Sequence, residues 1–145
     1  MSNWFIRAFL NLIGSPRACV AAVIRRHGKI LLTRRSLPLI EGGKWCLPGG
    51  AIKFGERVEN GLRRELKEET GFNVRKIKFL FYHDEFVARL KLHALVLVFL
   101  VDVAGDARLN LEVSEMKWFG RKEIEKLDMA FTHKDILIKF FKMPR

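Results

Sequence analysis

Three glutamates, Glu65, Glu68 and Glu69, stand close together in a stretch from about Arg57 to Thr70 whose apolar spacing predicts a helix. At about 100° per residue they fall within an arc of roughly 100°. Leu62 and Leu66 lie beside that arc, on the face expected to meet a core. The carboxylates therefore run along the margin of a buried face rather than out into bulk water. Glu65 and Glu69 are like charges four residues apart, which costs roughly 0.2–0.5 kcal/mol even on an exposed helix. Burial raises that cost, because ionised carboxylates resist losing water. Two arrangements compensate. Basic neighbours can pair with the acids, or a divalent cation can sit among them, since hard oxygen ligands suit Mg²⁺ or Mn²⁺. Arg63 and Lys67 point roughly away from the acids, whereas Arg64 precedes Glu68 by four residues and can reach it. One arginine does not neutralise three carboxylates, but helix geometry alone leaves both arrangements open.

The surrounding spacing bears on that choice. From Gly50, five residues lead to Glu56 and seven more to Arg64-Glu65, followed by Leu66, Glu68-Glu69, Gly71 and Phe72. This run resembles the signature box of the Nudix hydrolases, G-x5-E-x7-R-E-U-x-E-E-x-G-U with U aliphatic or aromatic, at every specified position. The likeness is to MutT-like or ADP-ribose pyrophosphatase-like single-domain members. Each position also has a physical reason. Gly49 and Gly50 let the backbone turn tightly and bring a carbonyl near a metal. Glu56 lies by the helix N-terminus, where negative charge is favoured, and can orient Arg64 across the loop. Arg64 can hold a catalytic carboxylate through its planar fork. Gly71 permits a left-handed cap. Gly61, inside the helix, costs up to ~1 kcal/mol against alanine, so close packing is its expected reason.

The resemblance implies an α/β/α sandwich around a mixed β-sheet, with the box forming loop, helix and loop. It also implies hydrolysis of a nucleoside diphosphate linked to another group, such as a nucleoside triphosphate or ADP-ribose. Mg²⁺ or Mn²⁺ bridges the phosphate oxygens and acidifies a water, and a glutamate takes that water's proton. On this reading Glu65, Glu68 and Glu69 are metal ligands or base, Gly49 offers its carbonyl to the metal, and Arg64 and Glu56 complete the catalytic set. Glu68 is the first choice for a catalytic role, and which acid is the base stays open.

Outside the box the likeness covers less. Gly43–Gly50 looks like the usual lead-in, and Glu115, upstream of Trp118-Phe119, resembles the late glutamate that some members use as a further ligand or base. Its alternative is a solvated acid at a strand end. Ala130–Leu137 is weakly similar to the closing helix of members acting on ADP-ribose, with His133 read as a cap or packing residue. Lys53 stands where many members carry an acid and can add a phosphate contact. Arg34, Arg35 and Lys44 lie near the box and are candidates to steer a polyphosphate. Trp45 is a candidate to stack on a base, with core packing as the alternative.

These residues need elements to position them. Strands are expected over Ala18–Arg26 and Lys29–Arg35, joined by a tight turn at His27-Gly28. A loop follows at Ser36–Lys44, then the box helix, two long strands near Phe72–His83 and Arg89–Val101, and a short strand at Glu115–Phe119. The two long strands are separated by acidic and small residues. Arg121–Lys126 and Thr132–Lys142 read as helices. Ahead of all this, Ser2–Ile13 carries Trp4, Phe5, Ala8, Phe9, Leu12 and Ile13 at helical spacing, and Gly14-Ser15-Pro16 ends it. It is shorter than the ~17–25 residues a membrane span needs, and Arg7 interrupts the apolar core a signal peptide would have. Its apolar face is assigned to packing on the domain or on a second subunit as a homodimer, with a membrane surface as the alternative. The chain thus divides into residues 1–16, an amphipathic helix and breaker, and 17–145, the hydrolase domain.

Composition sets the bounds. A chain of 145 residues with 49% hydrophobic and 30% charged residues fits one ordered domain with a real core. Its formal net charge of +11 favours polyanionic partners: a small nucleotide first, then nucleic acid or an anionic membrane. Two distant cysteines, Cys19 and Cys46, make neither a zinc spacing nor a disulfide framework, so a reducing cytoplasm is expected. Cys19 reads as a small buried hydrophobe. Two rival functions remain: hydrolysis at the 5′ end of RNA, which predicts salt-sensitive binding, and a non-enzymatic nucleotide sensor, against which the intact acid set argues.

Overall fold

A run such as Val20-Ala21-Ala22-Val23-Ile24 has no polar face, so it forms a strand only where both sides are covered. A computed structural model of the chain, which describes residues 5–6 and 15–144, shows that arrangement. Strand β1 (Arg17–Val23) lies inside a four-stranded mixed sheet. The neighbours are β5 (Gly49–Ala51) on one side and β7 (Leu92–Ala104) on the other, with β6 (Asn73–Val87) at the far edge. β1 runs parallel to β7, while the β1–β5 and β6–β7 pairs are antiparallel. A second, antiparallel sheet is built on β3 (Lys29–Arg35), flanked by β2 (Arg25–Arg26), β4 (Trp45–Cys46) and β8 (Val113–Phe119).

The period-2 alternation of β1 divides the core in two. Ala21 and Val23 face one cluster with Ile124, Ile136 and Leu137, from α2 (Arg121–Glu125) and α3 (His133–Phe141). Val20 and Ala22 face the other, with Leu62 and Leu66 of α1 (Val58–Thr70). Helices thus cover both faces of a mixed sheet, the architecture expected. Leu62 and Leu66 are fully buried, each worth about 1.5–3 kcal/mol of apolar transfer, and this packing fixes how α1 turns its acidic margin. Gly71 ends the helix at φ +77°, its N–H bonded to the Lys67 carbonyl, as a left-handed cap requires. His27 and Gly28 take φ of 49° and 74°, the doubly positive turn that suits a hairpin.

One boundary differs in an instructive way. The first long strand was expected to stop at His83, but β6 runs on to Val87, and the turn falls at Ala88–Leu90 with Lys91 at φ 48°. Asp84 and Glu85 look like strand breakers, yet Glu85 points inward and is buried, with Thr132 satisfying one of its oxygens. The helix expected over Ser2–Ile13, with its proposed partner surface, lies outside the described residues except for Phe5 and Ile6, which are helical. Among the described residues no helix is long and apolar enough to cross a membrane.

Candidate active site

The middle of α1, strand β5 and the loop between them meet at Arg64. Its guanidinium makes five contacts, one for each N–H it can donate. Nε and one terminal nitrogen grip the two carboxylate oxygens of Glu56 at 2.7 and 3.0 Å. The other terminal nitrogen donates to Glu65 at 2.8 Å and Glu68 at 3.3 Å, and the Ala51 carbonyl accepts at 3.1 Å. Glu56 also accepts from the Lys53 backbone N–H at 2.9 Å. The Arg64 fork holds the Glu56 carboxyl far below its usual range, at about 2. Gly61 faces this loop with no side chain; a Cβ there would sit 2.7 Å from Ile52 and 3.2 Å from Glu56. Close packing is thus the reason for a glycine within the helix.

Beside this hub opens a cavity of about 380 Å³. Glu65 and Glu69 line it from α1, with Gly49 and Gly50 from β5. Gly50 gives way to Glu65 directly, since a Cβ would fall 2.5 Å from its carboxyl carbon. Glu69 is buried and accepts a hydrogen bond from the Gly49 N–H at 3.3 Å. Burial pushes its carboxyl up to about 8, with the Gly49 N–H opposing and the charges of Glu65 and Glu112 adding to the rise. Burial also raises Glu65, against the pull of Arg64. Glu68 is half exposed and reaches Arg64 from the outer side. Four carboxylates, Glu65, Glu69, Glu85 and Glu112, line the cavity against two arginines, Arg17 and Arg35. A chain of net charge +11 has gathered an excess of acid at one place, with Glu69 and Glu85 buried in it.

Such an excess calls for a cation. The donor set, carboxylate and carbonyl oxygens, fits a hard divalent ion. Among the described residues, no three His, Cys, Asp or Glu side chains already converge to hold one, and Arg64 keeps Glu65 and Glu68 engaged.

Not every candidate residue comes to this place. Arg35 lines the cavity, its guanidinium 5.0 Å from the Phe131 ring centre. Arg34 turns outward to the Gly43 carbonyl at 2.8 Å and Glu115 at 3.6 Å. Glu115 is therefore a half-exposed surface acid, paired across the β3–β8 register with Arg34. Lys44 bonds Glu41 at 2.6 Å. Trp45 stacks edge-on against Phe119 at 4.8 Å and packs on the core, and Lys53 is exposed.

Other residues take their places. Glu112 enters the cavity from the turn before β8, where the Asn110 side-chain carbonyl accepts the N–H groups of Glu112 and Val113. The turn-forming Asn110 was the signal for it in the sequence. Glu85 lies on the cavity wall with no motif to announce it, beside His133, the residue the sequence reads as a cap or packing group. His133 is largely covered, accepts the Leu47 N–H at Nδ1 (3.0 Å), and stands 3.9 Å from Glu85. Burial holds its imidazole down to about 4, although Glu85 pulls the other way. Cys19 is half-buried in the cavity wall, and burial raises its thiol.

Known proteins resemble both the sequence and the shape. The NUDIX domain model matches residues 14–140. An ADP-ribose pyrophosphatase of Methanocaldococcus jannaschii is 32% identical over 123 residues, covering 84% of this chain and 71% of that protein. A nucleoside triphosphatase NudI of Enterobacter sp. is 27% identical over 140 residues, covering 83% and 98%. The crystal structure of a MutT NUDIX hydrolase from Burkholderia pseudomallei superposes with a TM-score of 0.74 at 30% identity, covering 86% of this chain and 97% of that one.

Proposed function

The chain belongs to the NUDIX domain family and is a Nudix pyrophosphohydrolase, and from that premise we propose that it cleaves small nucleotides at the acidic cavity with the help of Mg²⁺ or Mn²⁺. The substrate class is a nucleoside diphosphate linked to another group: a nucleoside triphosphate, ADP-ribose or a similar compound. The relatives named for ADP-ribose and for nucleoside triphosphates support that range. The observation that carries the proposal is the acid excess in the cavity, where Glu65 and Glu69 are both raised by burial in a chain otherwise strongly basic.

Glu65, Glu69 and the Gly49 carbonyl are the proposed holders of the ion, joined by Glu68 from its half-exposed position. Glu112 takes the late-glutamate role in place of Glu115, because it enters the cavity and Glu115 does not. A divalent cation there neutralises phosphate charge and makes water a better nucleophile near neutral pH. The protein's own part is positioning and proton transfer. Arg64, tied to Glu56, holds Glu65 and Glu68 at the cavity margin. Glu56, gripped by Arg64 and held far below neutrality, positions Arg64 rather than taking a proton, and the base is drawn from Glu65, Glu68 and Glu69. Arg35 faces the same space with a fixed positive charge for the phosphate chain.

A panel of nucleoside triphosphates, ADP-ribose and related diphosphates, incubated with Mg²⁺ or Mn²⁺ and read by mass spectrometry, tests this. A nucleoside monophosphate plus pyrophosphate or a phosphorylated remainder is expected. Absence of turnover across the panel would refute the proposal.

A further inference from the structure

Glu85 is a buried carboxylate that the chemistry above leaves unused. It stands on β6 opposite Ala94, 4% exposed, and faces the cavity. Thr132, just before α3, gives one of its oxygens, Oε2, both a backbone N–H at 3.1 Å and a hydroxyl at 2.7 Å. With its own proton donated, the Thr132 hydroxyl accepts from His83 Nε2 at 2.9 Å. The second carboxylate oxygen, Oε1, receives no hydrogen bond from any described residue. An acceptor held in place on the cavity wall, open to the cavity and without a protein donor, is free to take an N–H or O–H from a group bound there.

Its place in the fold says what that donor belongs to. The strand order β5-β1-β7-β6 separates Glu85 from β5, where Glu65 abuts Gly50, by three strand spacings, about 14 Å. A nucleotide with its diphosphate at Glu65 and Glu69 points its other end toward Glu85. Apolar groups line that end: Phe131, next to Thr132 in the chain, with Leu92 and Ala94 of β7. Such walls suit a planar base better than a hydroxyl-covered sugar.

We propose that Glu85 Oε1 receives an amino N–H of the substrate's nucleobase and so makes the enzyme prefer bases that carry an amino group there. Thr132 is its positioning residue. This rests on the hydrolase reading and adds a specificity to it.

The test compares bases that differ by one amino group: GTP with ITP, and ATP with purine riboside triphosphate. At least one amino-bearing member is expected to be preferred roughly tenfold or more in kcat/KM, the range of a hydrogen bond to a charged group, and chiefly through KM. In Glu85→Gln, the Thr132 N–H still claims the amide oxygen, so the amide NH₂ occupies the Oε1 position and meets donor with donor. The preference then falls toward parity while kcat for the des-amino substrate changes little. Equal use of both members of each pair by the wild-type protein overturns the proposal, and that arm needs no variant to fold. So does a preference that survives in Glu85→Gln, or one that follows the ribose hydroxyls of ADP-ribose analogues instead of the base. The shift in melting temperature with GMP against IMP, and with AMP against purine riboside monophosphate, reads the same contact without turnover. Failure to hydrolyse any substrate would thus sink the hydrolase reading, whereas equal stabilisation within both pairs with turnover intact would sink only this one.

Discussion

Arg64 and Glu56, eight residues apart, meet face to face in a two-pronged bond of 2.7 and 3.0 Å. The remaining N–H groups of the same guanidinium reach Glu65, Glu68 and the Ala51 carbonyl. A lysine has three donors on one atom and cannot reproduce that spread. Arg64→Lys is therefore expected to lower kcat by about 100-fold, the scale of a misplaced catalytic group, with a smaller change in KM. Steady-state kinetics decide it, and a kcat within a factor of a few of wild type would show that charge alone suffices.

Gly50→Ala tests the same geometry from the other side. The new methyl would fall 2.5 Å from the Glu65 carboxyl, which must swing away from the cavity. Turnover should fall at least tenfold, with a melting temperature close to wild type because a side-chain end can yield where backbone cannot. Full activity in Gly50→Ala would mean that the position of Glu65 is not important to the reaction.

Burial holds the Glu69 carboxyl largely protonated at neutral pH, and a cation beside it would favour the carboxylate. Adding Mg²⁺ or Mn²⁺ is expected to raise the melting temperature of the wild-type protein by binding the folded state alone. Glu69→Gln should melt at or above the metal-free wild type and show little further gain with the ion. An equal gain in both proteins would place the ion elsewhere.

His133 gives the fold a sensitivity to acid. Burial favours its neutral form in the folded chain, at about 4, while the unfolded chain takes up the proton near pH 6.5. The stability linked to neutral His133 is therefore complete above about pH 6.5 and is lost as pH falls toward 4. Glu85, Arg35 and His83 face the ring and act on its charge as well. Denaturation midpoints at pH 7 and pH 5 should differ less in His133→Gln, which keeps an acceptor for the Leu47 N–H, than in wild type. Identical slopes would contradict the assignment.

Much of this was readable from residue types. The box helix, its Gly71 stop, the acid margin beside Leu62 and Leu66, and the Arg64–Glu68 reach all follow from period and spacing, which are local. The cavity's far wall was not. Glu85 comes to it because a strand continues through Asp84-Glu85, and that continuation depends on Thr132, 47 residues away. Glu112 and Glu115 lie three residues apart around the start of β8, and spacing alone leaves Glu115 open between a ligand or base and a solvated strand-end acid; it pairs with Arg34, while the turn at Asn110 sets Glu112 on the cavity wall. Arg34 and Arg35 illustrate the same limit: neighbours on a strand point to opposite faces, and only one of them faces the cavity. Trp45 was an open choice between stacking and packing, and its edge-on contact with Phe119 in the core shows the second.

The most direct test of the central claim is the metal-dependent turnover of ADP-ribose and nucleoside triphosphates by wild type beside Glu69→Gln, both checked for an intact fold by circular dichroism. The wild-type protein should release nucleoside monophosphate only with the divalent ion present, and Glu69→Gln should lose about 100-fold or more of that rate. Equal rates in the two folded proteins would contradict the assignment of pyrophosphate hydrolysis to this cavity.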